Sequence, residues 1–340
     1  MATPSSTNRR TPEHIFNTLF AYQQTYALRA AIDLDIFSAI SGGATDIPSL
    51  AKKSGVAERG LQALCNYLVP LGFLTKQGTH YGLTQDSAIF LNKQSPAYMG
   101  AISQFFTNDH IVGNFAKLSE AVKKGGTADA EGHNQAPNDE MWVTFARTMG
   151  PTTAPAAAFV AELTGMSQGK TCKVLDIAAG HGMYGITLAR KNPNAQVTAL
   201  DWPNVLAVAK ENAQAAGVGE RFETISGNAF EANLGSGYDY VLLTNIFHHF
   251  DPPTCEKLMK RVHAALKPGG QAITVEFVPN EDRVSPAMPA MFSLVMLATT
   301  DAGDAYTLPE YEKMFCNAGF AKTTLHQIPD MPSQVLISEK

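Results

Sequence analysis

From Thr171 to the C-terminus, short apolar runs alternate with amphipathic ones, and that alternation leaves few architectures open. "CKVLDIA", "AQVTALD", "RFETIS", "YDYVLLT" and "QAITVEFV" have the continuous, β-branched character of buried strands. "FAKTTLHQIPDMPSQVLISEK" reads as two more strands in a closing hairpin. Between them, "MYGITLARKN", "PNVLAVAKENAQAAG" and "PPTCEKLMKRVHAALKPGG" carry helical spacing, and the "PGG" at 268–270 is expected to end the last helix. Such alternation marks parallel β-α-β units. Residues 171–340 are therefore expected to form an α/β domain with a doubly wound, seven-stranded, mostly parallel sheet.

The N-terminal part has a different texture. "TPEHIFNTLFAYQQTYALRAAIDLDIFSAI" reads as a helix with Thr11 as N-cap and Pro12 at its first position. Two more helices follow in "DIPSLAKKSGVAERGLQALCNYLVPLGFL", and then a small hairpin in "TKQGTHYGLTQDS". Helix, helix-turn-helix and hairpin make a winged-helix order, which raises DNA binding. The proposed recognition helix from Glu58 to Leu71 answers against it, because Arg59 stands among Leu61, Leu64, Tyr67, Leu68, Val69 and Leu71. Reading a major groove needs side chains that reach base edges, and phosphates need several cations. This helix is built to be buried, and the apolar first helix suits a subunit or domain interface. Residues 101–170 are again helical, broken by a loop in "KKGGTADAEGHNQAPND". In the segment after it, Trp142, Phe145 and Met149 share a helical face and read as core.

Composition narrows the function classes. A net charge of −5 and a pI of about 6.0 argue against a nucleic-acid or anionic-membrane binder. The chain has no apolar run of membrane-spanning length and no apolar leader in "MATPSSTNRR". Cys65, Cys172, Cys255 and Cys316 stand apart, without the spacing of a zinc site or a disulfide framework, so a cytoplasmic location is expected and no metal.

The stretch "VLDIAAGHGMYG" (174–185) closes the first strand of the α/β region with Gly180, Gly182 and Gly185 at the spacing of a dinucleotide fingerprint. In such sheets, ligands lie beyond the carboxyl ends of the strands. Asp201 ends the second strand, where an acid accepts bonds from ribose hydroxyls. Asp176 separates the cofactor classes, because a carboxylate repels a diphosphate and attracts an ammonium or sulfonium. S-adenosylmethionine offers both cations, a ribose and no phosphate. The loop favours that cofactor over a nicotinamide dinucleotide.

With these residues in place, the sequence resembles the class I S-adenosylmethionine-dependent methyltransferases, and within them the caffeic-acid-type O-methyltransferases and their bacterial relatives. The linker helix "F-x-x-x-M", the D-x-x-x-G-x-G motif, "HH" after the fourth strand, "VEFV" on the fifth and "AGDAYT" all fall in step. The resemblance implies a winged-helix-like dimerisation domain over 1–100, a helical linker over 101–170 that contributes to the acceptor pocket, and an S-adenosylmethionine-binding catalytic domain over 171–340. It implies a homodimer, and a cofactor site of Asp176, Gly180, Gly182, Asp201, Asn228, Phe230, Phe145 and Met149. His248 aligns with the family's general base and Glu276 with the carboxylate that orients it. The activity implied is methyl transfer to a hydroxyl of a small aromatic molecule.

Two departures stand out. His249 occupies a position where the family often has Asp, and Ala305 holds the place of a second orienting Glu, with Asp304 beside it. A base supported by one carboxylate keeps C-methylation of an activated carbon open as the alternative, with a nicotinamide-dependent oxidoreductase behind it. His248, His249 and Asp251 also suggest a two-histidine, one-carboxylate metal site, but adjacent residues do not share a helical face. The acceptor pocket is expected to draw on Met288, Met291, Phe292 and Met296, an adaptable lining for a flat apolar molecule.

Overall fold

The computed structural model describes residues 11–129 and 140–340; the N-terminal "MATPSSTNRR" and residues 130–139 of the expected loop lie outside them. The chain divides into two compact units, Met1–Thr107 and Asn108–Lys340.

In the smaller unit, α1 (Glu13–Asp33) starts one residue later than expected, with Pro12 as the cap and its carbonyl accepting from the Phe16 N–H. It is followed by α2 (Ile36–Ser41), α3 (Ile47–Ser54) and α4 (Glu58–Leu68). A two-stranded antiparallel hairpin comes next, β1 (Leu74–Gln77) and β2 (His80–Leu83), turned at Gly78 with φ 58°. α5 (Gln85–Phe90) and α6 (Ser103–Phe106) complete the unit. Leu61, Cys65 and Leu68 of α4 are buried against Ile36, Phe37 and Leu50, so the helix that would have to read DNA gives its apolar face to the core. The first two-thirds of α1 does the reverse: Ile15, Phe16, Leu19, Phe20, Tyr22 and Tyr26 are all exposed.

The larger unit opens with α7 (Asp109–Ala116), α8 (Leu118–Lys124), α9 (Glu140–Thr148) and α10 (Gly150–Leu163). Then β3 (Cys172–Ile177), α11 (Met183–Lys191), β4 (Ala195–Asp201), α12 (Pro203–Ala215), β5 (Phe222–Ser226) and β6 (Tyr238–Thr244) alternate as expected. α13 (Pro252–Ala265), β7 (Leu266–Glu276), α14 (Ala287–Thr299), α15 (Leu308–Asn317), β8 (Lys322–Gln327) and β9 (Gln334–Glu339) follow. The seven strands form one sheet in the order β5-β4-β3-β6-β7-β9-β8. β3 to β7 pair in parallel, and β9 runs antiparallel to β7 and β8. The strand order reverses at β3, so its carboxyl end, flanked by those of β4 and β6, is where a crevice opens. Buried apolar side chains on both faces hold the sheet, Val174, Leu242 and Ile273 on one and Leu175, Val241 and Leu336 on the other.

One expectation fails locally. "PGG" does not cap α13, which ends at Ala265; residues 266–276 are already strand. The pairing of β6 with β7 slips between Tyr238 and Tyr240, and the extra residues Pro268, Gly269 and Gly270 are taken up there as a bulge, with Gly269 at φ 74°. Among the described residues, no helix is long and apolar enough to cross a membrane.

The third glycine of the loop is a packing residue. A Cβ on Gly185 would lie 2.7 Å from Val197 Cγ1 and 3.2 Å from Asp176 Oδ2, so α11 sits on the sheet only because that position is bare. Gly185→Ala is expected to cost about 1–3 kcal/mol by overpacking. Gly113→Ala, in α7 with open space around the position, is expected to be neutral or to stabilise by roughly 0.5 kcal/mol. Denaturant unfolding of the two variants beside the parent protein measures both.

Candidate active site

The loop from β3 to α11 is held by the protein's own side chains. Gly180 and Gly182 have φ of 56° and 74°, a region L side chains rarely adopt. Asp176 has no exposed surface, and its Oδ2 accepts from the Gly185 N–H at 3.2 Å. His181, between the two glycines, accepts the Met183 N–H on Nδ1 at 3.1 Å, while its Nε2 meets Thr153 Oγ1 at 3.4 Å. Asp176 has its Oδ1 enclosed without a hydrogen-bond partner. It lies beneath the loop and satisfies an otherwise free donor in the first turn of α11.

Burial sets the charges here. It raises Asp176 to about 7, with the Gly185 N–H pulling the other way, and raises Asp201 to about 6. It lowers His181 to about 4, so that ring is a neutral acceptor for Met183. Asp201 accepts from Gly180 N–H on Oδ2 at 2.8 Å and from Trp202 N–H on Oδ1 at 2.7 Å, which brings the ends of β3 and β4 together. The Gly227 N–H donates to the Asp201 carbonyl, setting the next loop alongside. In that loop Asn228 Oδ1 accepts from the Phe230 N–H, and the Phe230 ring packs edge-on against Phe250 at 5.0 Å.

α9 closes over these strand ends. Ala146 packs on Val205 and Val208 of α12, with Trp142, Val143 and Trp202 around them. The Phe145 ring lies 3.7 Å from where a Gly180 Cβ would be and stacks on His181 at 6.1 Å. Trp142 meets His249 edge-on at 5.5 Å. Met149, half-buried, caps the start of α10.

The loop between β6 and α13 carries the second cluster. Phe247, His248 and His249 form a single tight turn. His248 Nδ1 and Glu276 Oε2 are 2.6 Å apart, and Glu276 Oε1 accepts the Phe247 N–H at 2.9 Å. Glu276 has no exposed surface and His248 very little. The Cys255 thiol donates to the Phe247 carbonyl at 3.3 Å, and Asp251 caps α13 through the Thr254 N–H. Phe292 stands edge-on to His248 at 4.9 Å and touches Phe277 at 4.3 Å. Of the methionines expected with it, Met288 and Met291 are exposed and Met296 is buried. Asp304 turns away to Arg283 at 2.9 Å, and Ala305 is fully buried.

Sequence reasoning missed His181 and Asn204. The amide nitrogen of Asn204, in the first turn of α12, is enclosed without a partner. Trp142 packs against the Ala146 cluster, in keeping with its core reading, and its ring also meets His249.

These residues fit S-adenosylmethionine better than a dinucleotide. A helix N-terminus binds phosphate through free N–H groups, but here Asp176 and His181 already take two of the N–H groups in the first turn of α11. Residues 176–185 contain no Lys or Arg, and the one histidine among them is neutral. Asp201 keeps a lone pair on each oxygen for ribose hydroxyls, and the Phe145 ring above Gly180 leaves an apolar wall.

Because burial holds protons on Asp176 up to about pH 7, against 3.8 in an unfolded chain, the folded state loses stability as the pH rises through that window. Asn at this position keeps an acceptor for Gly185 without the charge. Asp176→Asn is therefore expected to gain on the parent protein by about 2 kcal/mol between pH 5 and pH 8, measured by denaturant unfolding at the two values.

A family model described as an O-methyltransferase domain matches residues 138–321, and one described as an O-methyltransferase dimerisation domain matches 16–93. A solved Nostoc punctiforme protein assigned as an O-methyltransferase superposes with a TM-score of 0.93 at 47% identity, covering 98% of this chain and 100% of that one. The 3-hydroxy-5-methyl-1-naphthoate 3-O-methyltransferase of Streptomyces sahachiroi is 28% identical over 87% of this chain and 86% of its own length. PigF of Serratia, an S-adenosyl-L-methionine-dependent methyl transferase solved with S-adenosylhomocysteine, superposes with a TM-score of 0.86 at 24% identity, covering 97% of this chain and all of PigF. With its catalytic region matched over more than half of its length and a dimerisation domain ahead of it, this chain belongs to the O-methyltransferase family.

Proposed function

We propose that the protein transfers the methyl group of S-adenosylmethionine to a phenolic hydroxyl of a small aromatic acceptor, with His248 as the general base. The observation that carries this reading is the His248–Glu276 pair, buried at a strand end beside the glycine loop. Family membership sets the nicotinamide reading aside.

When bound, S-adenosylmethionine supplies an activated methyl on a sulfonium, a good electrophile with a good leaving group. Gly180 and Gly182 let the backbone approach it, Asp201 takes the ribose hydroxyls, and Asn228 and Phe230 border the adenine. Phe145 and Met149 close the site from the linker, and Asp176 acts from below by fixing the loop. An ionised carboxylate only accepts, so the Nδ1 proton of His248 points at Glu276 and leaves the Nε2 lone pair for the acceptor's hydroxyl proton. As His248 gains charge, Glu276 stabilises it at 2.6 Å, a charge-assisted bond. Glu276 cannot swing away, because the Phe247 N–H holds its other oxygen.

Phe292, Phe277 and Trp142 give the acceptor side flat, apolar walls, which suits an aromatic ring. With Asp304 held by Arg283, one carboxylate supports the base, and this favours acceptors whose hydroxyl ionises readily. The exposed apolar stripe on α1, from Ile15 to Tyr26, coincides with the matched dimerisation domain, and we read it as the contact surface of a homodimer.

The test uses methyl-labelled S-adenosylmethionine and a panel of phenols and hydroxyquinones, with the product located by NMR. The label is expected on oxygen. His248→Ala is expected to lower kcat by about a hundredfold or more while S-adenosylhomocysteine still binds, and Glu276→Gln to lower it by a smaller factor. Label on carbon, or transfer that survives loss of His248, overturns the assignment.

A further inference from the structure

Three of the six enclosed polar side-chain atoms without a hydrogen-bond partner among the described residues gather on the Glu276 face of the sheet. They are Thr274 Oγ1, Gln334 Oε1 and the Tyr311 hydroxyl, and none of the three residues is more than 3% exposed. Strand register brings the first two to the carboxylate. Glu276 pairs directly with Gln334 across β7 and β9, and Thr274 pairs with Leu336 two residues earlier. Opposite residues in an antiparallel pair share a face of the sheet, and so do residues two apart on one strand. Ala272 and Leu336 identify that face, because both belong to the apolar cluster that contains Tyr311 and Phe315 of α15. The Tyr311 ring lies 6.3 Å from that of Phe247, whose N–H binds Glu276. Burial, and after it the Glu276 charge, holds the Tyr311 phenol well above its usual range, so the hydroxyl keeps its proton.

The hydrogen-bonding capacities of these groups are complementary. The Gln334 amide nitrogen donates to the Val278 carbonyl at 3.3 Å, so its free Oε1 is an acceptor. Glu276 is engaged by the Phe247 N–H and by His248, while a carboxylate has about four lone-pair sites. Tyr311 and Thr274 each bring an O–H. Two donors and two acceptors are what a single water satisfies in full, and a buried water needs two to four polar partners.

We propose that Tyr311, Thr274 and Gln334 form a water site behind Glu276, with Tyr311 as a positioning residue for the base: its hydroxyl holds a water that donates to the carboxylate. This rests on the general-base reading of His248. In the resting pair the carboxylate charge faces a neutral ring, and after proton transfer it is shared with an imidazolium. An additional donor on the carboxylate therefore favours the resting state more, which keeps the ring free of a proton and ready to act at neutral pH. The other titratable groups around the carboxylate are held out of that range. Burial keeps Cys255 of α13, Tyr184 of α11 and Tyr306 ahead of α15 above their usual values, and His249 well below. Of the charges that reach Cys255 and Tyr311 from further away, Asp251 caps α13 and Glu310 is held by Arg283.

The test needs no acceptor. In protein labelled with ¹⁵N-histidine and saturated with S-adenosylhomocysteine, the His248 signals, assigned by their loss in His248→Gln, are followed against pH. Tyr311→Phe, which keeps the ring, and Thr274→Val, which keeps the shape, are each expected to raise the His248 midpoint by roughly 0.5–1 pH unit. A high-resolution crystal structure of the same complex is expected to show a water within about 3.2 Å of both the Tyr311 hydroxyl and Thr274 Oγ1. With any phenol of the panel that is methylated, the acid limb of the kcat/KM profile is expected to move up with the midpoint in Tyr311→Phe. A merely structural role lowers the rate at every pH and moves neither. An unmoved His248 midpoint, or a site without that water, overturns the proposal. If the parent profile has no acid limb, or transfer survives His248→Ala, the general-base reading itself fails and the proposal with it.

Discussion

Glu276 is a carboxylate without exposed surface at the end of a central strand, and the site is organised by how it is satisfied. Burying such a group without partners costs several kcal/mol. Its two oxygens take the Phe247 N–H and face His248 Nδ1, so the strand end and the turn after β6 hold one another. A three-residue turn has few bonds of its own to fix it, and the surroundings supply them. The Cys255 thiol binds the Phe247 carbonyl from α13. Gly303 lies so close to the His248 carbonyl that no Cβ fits there. The imidazole is thereby held in one place.

The glycine loop solves a different problem with the same means. A loop that enters a helix normally leaves free N–H groups, and those groups attract anions. Here a buried acid from β3 and a neutral histidine from the loop itself occupy two of them. What remains at the strand ends is Asp201, the apolar face of Phe145 and bare glycine backbone. Such a surface rejects a diphosphate and tolerates a cation. The glycine spacing alone does not distinguish these outcomes; the side chains beneath the loop do.

That contrast explains what was legible in the sequence. Strand and helix order, the glycine loop and the acid at the end of β4 are local patterns, and each keeps its meaning wherever the chain goes. The orientation of Asp176 is different, because a strand residue faces one side of the sheet or the other, and only the packing of Gly185 against Val197 decides what lies there. The "PGG" misreading has a similar source. Pro and Gly break helices and bulge strands equally well, and the pairing of β7 with β6 selects the second. Met288 and Met291 belong to a helix apolar nearly all round, so composition did not tell which of its faces turns toward His248; Phe292 does. The site roles of Phe145 and Met149 came from the resemblance. Trp142 shares their helical face, yet its place against His249 depends on a contact between segments a hundred residues apart.

The adjacent histidines carry this point into chemistry. By residue type they are identical, and as isolated side chains both would titrate near neutrality. His248 has a buried carboxylate on one nitrogen, so a proton arriving on the other is stabilised where it lands. His249 has aromatic rings around it, an unpartnered nitrogen and a second imidazole beside it, and all three oppose its taking a proton. Identical residue types thus stand in opposite settings, one against a buried carboxylate and one among aromatic rings.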